Sequence, residues 1–321
     1  MRQGHNFKYI RYPLSDNGDR ILIRKLYLAL ITIATVITII VGAYLYFQSP
    51  RKQILRIATT TSLYETGLLD ILAEKFEQKN LYVDVQFIAV GSGQALKLAT
   101  NGDVDAVAVH APSLEINYVN EGILINWRII AYNYFIIVGP KEDPAKINNL
   151  TALEAFEKIF ESGENEEALF VSRGDNSGTH IKELSLWSKV NLKPQGKNWY
   201  FETGAGMSQT LLVANEKKAY CLTDISTYMK LKKAGKLPNL EILVPESDEL
   251  INIYSFYIVS KEKYPHVAYE IADKFGDFLT SDDGQEIIST FGEGKFGKPL
   301  FYSSRGREEE LKTVWKNLSE G

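Results

Sequence analysis

Residues 54–78 read ILRIATTTSLYETGLLDILAEKFEQ, and this stretch decides the fold class. Ile54 to Ala58 is a short apolar run of strand character, and Thr59 to Thr66 is a polar, hydroxyl-rich loop. Gly67 to Gln78 then places Leu68, Leu69, Leu72 and Phe76 on one helical face. Strand, loop and amphipathic helix in that order make one α/β unit. The pattern recurs in Tyr82 to Val90, the Gly91-Ser92-Gly93 turn and a helix through Ala99, with a third strand from Val104 to Val109. The spacing predicts α/β units built on a largely parallel sheet.

Working outward, Ala131 to Val138 is apolar and ends at Gly139-Pro140, after which residues 141–149 are charged and loop-like. Strands are expected again near Leu169 to Ser172, Trp199 to Glu202, Ala219 to Thr223 and Glu241 to Val244, and Ile251 to Val259 is long enough to return the chain to its first half. The expected architecture has two lobes and a hinge: lobe 1 from 54–138 and 252–321, lobe 2 from 139–251. Two strands crossing between lobes leave a cleft, where ligands bind preferentially.

Before these lobes, Leu26 to Phe47 is uncharged and apolar for about 22 residues, enough to cross a bilayer core. Arg20, Arg24 and Lys25 precede it, and Arg2, Lys8 and Arg11 add positive charge to a 1–25 tail expected to stay in the cytoplasm. The large domain is then expected outside, extracellular or periplasmic, held by a single-pass anchor. The competing expectation is a signal peptide cleaved near Val41-Gly42-Ala43.

The composition excludes several classes. A chain of 321 residues with 45% hydrophobic content buries a real core. A net charge of -4 argues against a nucleic-acid partner. Cys221 is the one cysteine, so neither a disulfide nor a cysteine metal cluster forms within the chain. His5, His110, His180 and His266 lack the spacing of a metal site, and no metal cofactor is expected. No G-x-S-x-G elbow is present, and the P-loop-like run Gly292 to Lys298 has Pro299 where a magnesium-binding hydroxyl belongs.

The chemistry lies in four small-residue loops, each between a strand and a helix: Thr59-Thr60-Thr61-Ser62, Gly91-Ser92-Gly93, Asp175-Asn176-Ser177-Gly178-Thr179 and Gly204-Ala205-Gly206-Met207-Ser208. Helix starts offer unpaired N–H groups and positive dipole ends, so such loops wrap anions. Any one of them alone is an ordinary helix cap. Four together at strand carboxyl ends point to a ligand edge. Arg173 stands among them with a planar fork of donors suited to an oxyanion; its alternative is a structural pair with Asp175.

Taken in order, TTTSLYETGLLDILAEKF (59–76), VGSGQAL (90–96), GDVDAVAVHAP (102–112), NYFIIVGPKEDPA (133–145), SRGDNSGTHIKE (172–183), GAGMSQTL (204–211), AYCLTD (219–224) and FGKPLF (296–301) resemble the tungstate-binding proteins of ABC importers, among the two-lobed type II periplasmic binding proteins. The resemblance implies a receptor that binds tungstate, or near-isosteric molybdate, without a cofactor. It would deliver its cargo to an ABC permease driven by a separate ATPase subunit. It carries ligand contacts onto Thr60, Thr61, Ser62, Ser92, Arg173 and Thr179, with Ser177, Gly206 and Met207 as flanking donors. Two positions depart from the family pattern: Ile225-Ser226-Thr227 stands where Arg-Gly-Thr is usual, and Ser92 where threonine is common. The readings set against it are a phosphate or sulfate receptor, an ester hydrolase using His110 or His180, and a single-helix surface sensor.

Overall fold

The computed structural model describes residues 16–48 and 52–320, in two units on either side of residue 51. Helix α1 (Asp16–Gln48) contains the apolar segment. Within its Arg20–Tyr44 stretch an 18-residue window has mean hydropathy 2.4, and none of that window's residues is buried. Thr32, Thr35 and Thr38 each donate to the carbonyl four residues back, which satisfies their hydroxyls without water. The cations Arg2, Lys8 and Arg11 lie outside the described residues.

The second unit, Lys52–Gly321, runs β1 (Gln53–Thr60), α2 (Thr61–Tyr64), α3 (Leu68–Lys79), β2 (Val83–Val90), α4 (Ser92–Asn101), β3 (Ala106–Val109), α5 (Pro112–Asn120) and β4 (Leu124–Pro140). It continues through α6 (Ala152–Glu164), β5 (Phe170–Ser172), α7 (Gly178–Lys189), β6 (Tyr200–Glu202), α8 (Met207–Lys217), β7 (Cys221–Asp224), α9 (Ile225–Lys233) and β8 (Leu240–Val244). The closing elements are β9 (Ile251–Val259), α10 (Tyr269–Thr280), α11 (Asp282–Thr290), α12 (Glu293–Phe296), β10 (Tyr302–Ser303) and α13 (Glu308–Glu320).

The sheet is mixed, which corrects the expectation of a largely parallel one. Its order is β10-β4-β9-β3-β1-β2, with β7 and β8 also pairing with β4. Within it β1 is parallel to β2 and β3, whereas β9 is antiparallel to both β3 and β4. The reason is topological: β9 brings the chain back from the second lobe and so runs against the strands it joins. β4 is also far longer than its apolar run suggested. Its first half pairs with β9, and from Phe135 it pairs with β7 and then β8, so one strand serves both lobes. The segment read as a polar loop after β1 is instead the strand's end followed by the one-turn helix α2, capped by Thr60.

Strand alternation builds the cores. In lobe 1, Leu55, Ile57, Ala106, Ala108, Phe256 and Ile258 face one way, toward Phe76 and Phe275. Ala58, Val107, Val109, Tyr257 and Val259 face the other, toward Leu96 and Trp315. In lobe 2 the second half of β4 divides likewise, with Phe135 and Ile137 against Phe156 and Trp187, and Ile136 and Val138 against Met207 and Leu211.

Candidate functional site

Parallel pairing sets Thr60 beside Val90, so the loops that follow β1 and β2 leave the sheet at one level. From lobe 2, the β5–α7 loop arrives opposite them. Gly174 (φ 63°) and Asn176 (φ 55°) are both left-handed, which turns this loop back sharply; Asn is among the few side chains that accept that conformation. The loops touch. A Cβ built on Gly91 lies 3.6 Å from the Asp175 carbonyl oxygen, one on Gly93 lies 3.4 Å from that of Asn176, and one on Gly206 lies 3.7 Å from Thr61 Oγ1. All four small-residue loops therefore meet in one place.

Arg173 is 2% exposed. Its Nη2 donates to Asp175 Oδ2 at 2.6 Å and to Thr61 Oγ1 at 3.5 Å, linking the lobes. The structural pair with Asp175 is real, yet it occupies only one end of the guanidinium: Nε and Nη1 are buried without a partner. Ser92 Oγ and Thr179 Oγ1 are also buried and unpartnered. Asp175 Oδ1 accepts from Ser177 N at 3.1 Å, which braces the loop. Ser177 caps α7 by accepting from His180 N, keeping its own proton for another acceptor.

The remaining residues divide by what their atoms already touch. Thr60 Oγ1 accepts from Leu63 N and lies 3.3 Å from Ser62 Oγ, which is 3.3 Å from His110 Nε2. Thr59 donates to the Ala108 carbonyl and is thereby tied to β3. Gly206 caps α8, but the Met207 side chain is fully buried in the lobe 2 core, so this residue offers the shell only its backbone. Burial pushes His110 down to about 4, with the Asn252 bond opposing, so the ring is neutral at physiological pH. His180 is also lowered by burial, and its Nδ1 accepts from Asn176 N.

Sequence reasoning missed three features. Asn133 and Asn252 face each other in register on β4 and β9, both buried; an asparagine inside the apolar run of each strand was the available signal. Glu65 bridges the rim, its Oε2 accepting from Ser208 Oγ at 2.5 Å and its carbonyl from Lys230 Nζ. Asp224, buried at the start of α9, has its pKa raised by burial while two bonds from Thr227 and the nearby Arg173 oppose that shift. Among the described residues no group of three His, Cys, Asp or Glu could hold a metal ion.

Residues 48–283 match the PBP superfamily domain. The tungstate-binding protein TupA of Peptoclostridium acidaminophilum is 36% identical over 250 residues, covering 76% of this chain and 84% of that protein. Its counterpart in Campylobacter jejuni is 37% identical over 238 residues, covering 74% and 86%. This chain belongs to the tungstate-binding protein family. Solved structures agree: the tungstate ABC transporter structure from Geobacter sulfurreducens superposes with a TM-score of 0.66 at 45% identity, covering 74% of this chain and 99% of that one. The tungstate binding protein of Desulfovibrio alaskensis gives the same TM-score at 41% identity, covering 78% and 98%. Family membership makes the mixed α/β lobes those of the PBP-like fold and gives the chain an oxyanion-binding, solute-receptor role.

Proposed function

We propose that the chain is the solute-binding protein of an ABC importer and that tungstate or molybdate is its cargo, held between the lobes and passed to a permease driven by a separate ATPase. The observation that carries this reading is the set of five donor atoms buried without protein partners, Ser92 Oγ, Arg173 Nε and Nη1, Thr179 Oγ1 and His180 Nε2, on loops that touch. Leaving a buried polar group unpaired costs about 1–3 kcal/mol, so such a set in one shell argues for a guest rich in acceptors. Formal charges on Arg173 and Asp175 cancel. A dianion is then stabilised by the free guanidinium edge, hydroxyls and N–H groups at the starts of α4, α7 and α8. No separate cofactor enters this scheme. The proposed contacts are Thr61, Ser92, Arg173, Ser177 and Thr179 by side chain, with Thr60, Ser62, Gly206 and Met207 lining the shell.

Selectivity follows from size, because sulfate has the same charge in a smaller tetrahedron and leaves donors unpaired. Helix α1 is proposed as the single-pass anchor, with the domain outside the membrane. Calorimetric titration of the full chain with tungstate, molybdate, sulfate and phosphate tests the assignment. Tungstate and molybdate are expected to bind tightly and sulfate far less; absence of tungstate heat at micromolar protein removes it.

One observation favours a hydrolytic alternative: Ser62, His110 and Asn252 are linked in the order of nucleophile, base and orienting group. Against it, a histidine lowered to about 4 is a weak base at neutral pH, and asparagine does not stabilise an imidazolium as a carboxylate does. Turnover of a chromogenic ester that vanishes in Ser62→Ala would restore this alternative.

A further inference from the structure

The Leu300 carbonyl only accepts, and it lies 3.0 Å from Ser226 Oγ and 3.4 Å from the Asn133 amide group. Asn133 therefore presents Nδ2 on that side, where it also donates to Ser226 Oγ at 2.9 Å. Its Oδ1 is left facing Asn252, which must answer with Nδ2, at 2.9 Å; the same amide nitrogen donates to Tyr254 Oη. Asn252 Oδ1 then faces His110 Nδ1 at 2.9 Å, so the ring proton sits on Nδ1 and Nε2 is the acceptor. Nε2 takes the Ser62 O–H, Ser62 Oγ takes the Thr60 O–H, and Thr60 Oγ1 takes the N–H of Leu63, which only donates. Every bond points the same way between a group that can only accept and a group that can only donate. Ser226, Asn133, Asn252, His110, Ser62 and Thr60 are all buried, so water does not interrupt the series.

We propose that this one-way relay makes His110 a positioning residue of the oxyanion shell: it holds the Ser62 and Thr60 hydroxyl protons away from the ligand and leaves Thr61 as the donating hydroxyl of that loop. The inference rests on reading the site as an oxyanion shell. Thr61 Oγ1 accepts from Arg173 Nη2, so its proton remains uncommitted. The relay also ties the loop's proton arrangement to lobe 2, because Ser226 lies in the first turn of α9 and reaches across to Leu300 in lobe 1. Arg173 and Asp175, from the β5–α7 loop, are the charges acting on the ring, and Lys182 of α7 lines the adjoining cavity. β4 and β9 present the uncharged Phe135, Asn252 and Tyr254.

Two measurements on the full chain decide it. Imidazole nitrogen NMR, with the His110 signals assigned from their loss in His110→Gln, is expected to show a neutral ring protonated at Nδ1 and unchanged from pH 5 to 8. An Nε2-protonated ring, or an imidazolium appearing in that range, overturns the relay. Calorimetry with tungstate is expected to find the loss of affinity in Thr61→Ala at least about tenfold greater than the loss in Ser62→Ala. Equal losses in the two variants overturn the assignment of donors. Failure of the unmodified chain to bind any oxyanion would instead strike the proposed function, and the NMR result, which needs no ligand, tells the two failures apart.

Discussion

Arg173→Lys keeps the charge and removes the fork. The arginine is 2% exposed, spends Nη2 on Asp175 and holds Nε and Nη1 free of protein partners. A lysine ammonium placed there is drawn to the same carboxylate and supplies neither of the two free donors. Hydrogen bonds to charged groups contribute about 1.5–3 kcal/mol each, so losing two removes about 3–6 kcal/mol of ligand binding. At about 1.4 kcal/mol per tenfold, affinity for tungstate falls by roughly 10²- to 10⁴-fold. Competition calorimetry measures this, with thermal unfolding of the ligand-free variant confirming that the fold survives. Because charge is conserved, long-range electrostatics does not account for the loss. Affinity within about fivefold of the unmodified chain would refute the claim that these two nitrogens reach the ligand.

Thr179→Val removes a buried hydroxyl that has no protein partner, at nearly constant volume. It is expected to raise the unfolding temperature of the ligand-free protein slightly while weakening tungstate binding by roughly 5- to 100-fold, as calorimetry and thermal unfolding would show together. Gly178→Ala puts a Cβ 2.6 Å from the His110 ring and 2.7 Å from its carbonyl oxygen, so destabilisation of about 1–3 kcal/mol and weaker binding are expected in denaturant titration and calorimetry. Glu183 is buried, and desolvation raises its pKa to about 7 despite bonds from Tyr200 and Trp187. Between its unfolded value, near 4.5, and 7 the folded protein holds the extra proton, so this group's contribution to stability is full at the acid end and is lost as pH rises through 7. Glu183→Gln should flatten that part of the profile and melt higher than the unmodified chain at pH 8.

The elements near the site were legible wherever a local rule governs them. Apolar periodicity marked α3, and Ile251 to Val259 was read with the bounds it has in the structure. The four small-residue loops were recognisable because helix starts select the same few residues for caps and turns. Sheet direction was not legible: a strand's apolar run carries no record of which neighbour it joins, and β9 is antiparallel only because of where the chain has already been.

Within the site, residue types pointed to an anion and to Arg173, and the family resemblance put Ser92 and Thr179 among the expected contacts. Which donors are free is another matter. Thr60, Thr61 and Ser62 are equivalent hydroxyls in the sequence, and they are told apart by partners 48 to 112 positions away, His110 and Arg173. The availability of a proton depends on everything its oxygen touches, and those contacts exist only once the lobes have folded against each other. The sequence by itself determined the donor-rich loops and the apolar segment before them; tertiary structure alone decided which donors remain uncommitted, because hydrogen-bond satisfaction is a property of three-dimensional neighbours.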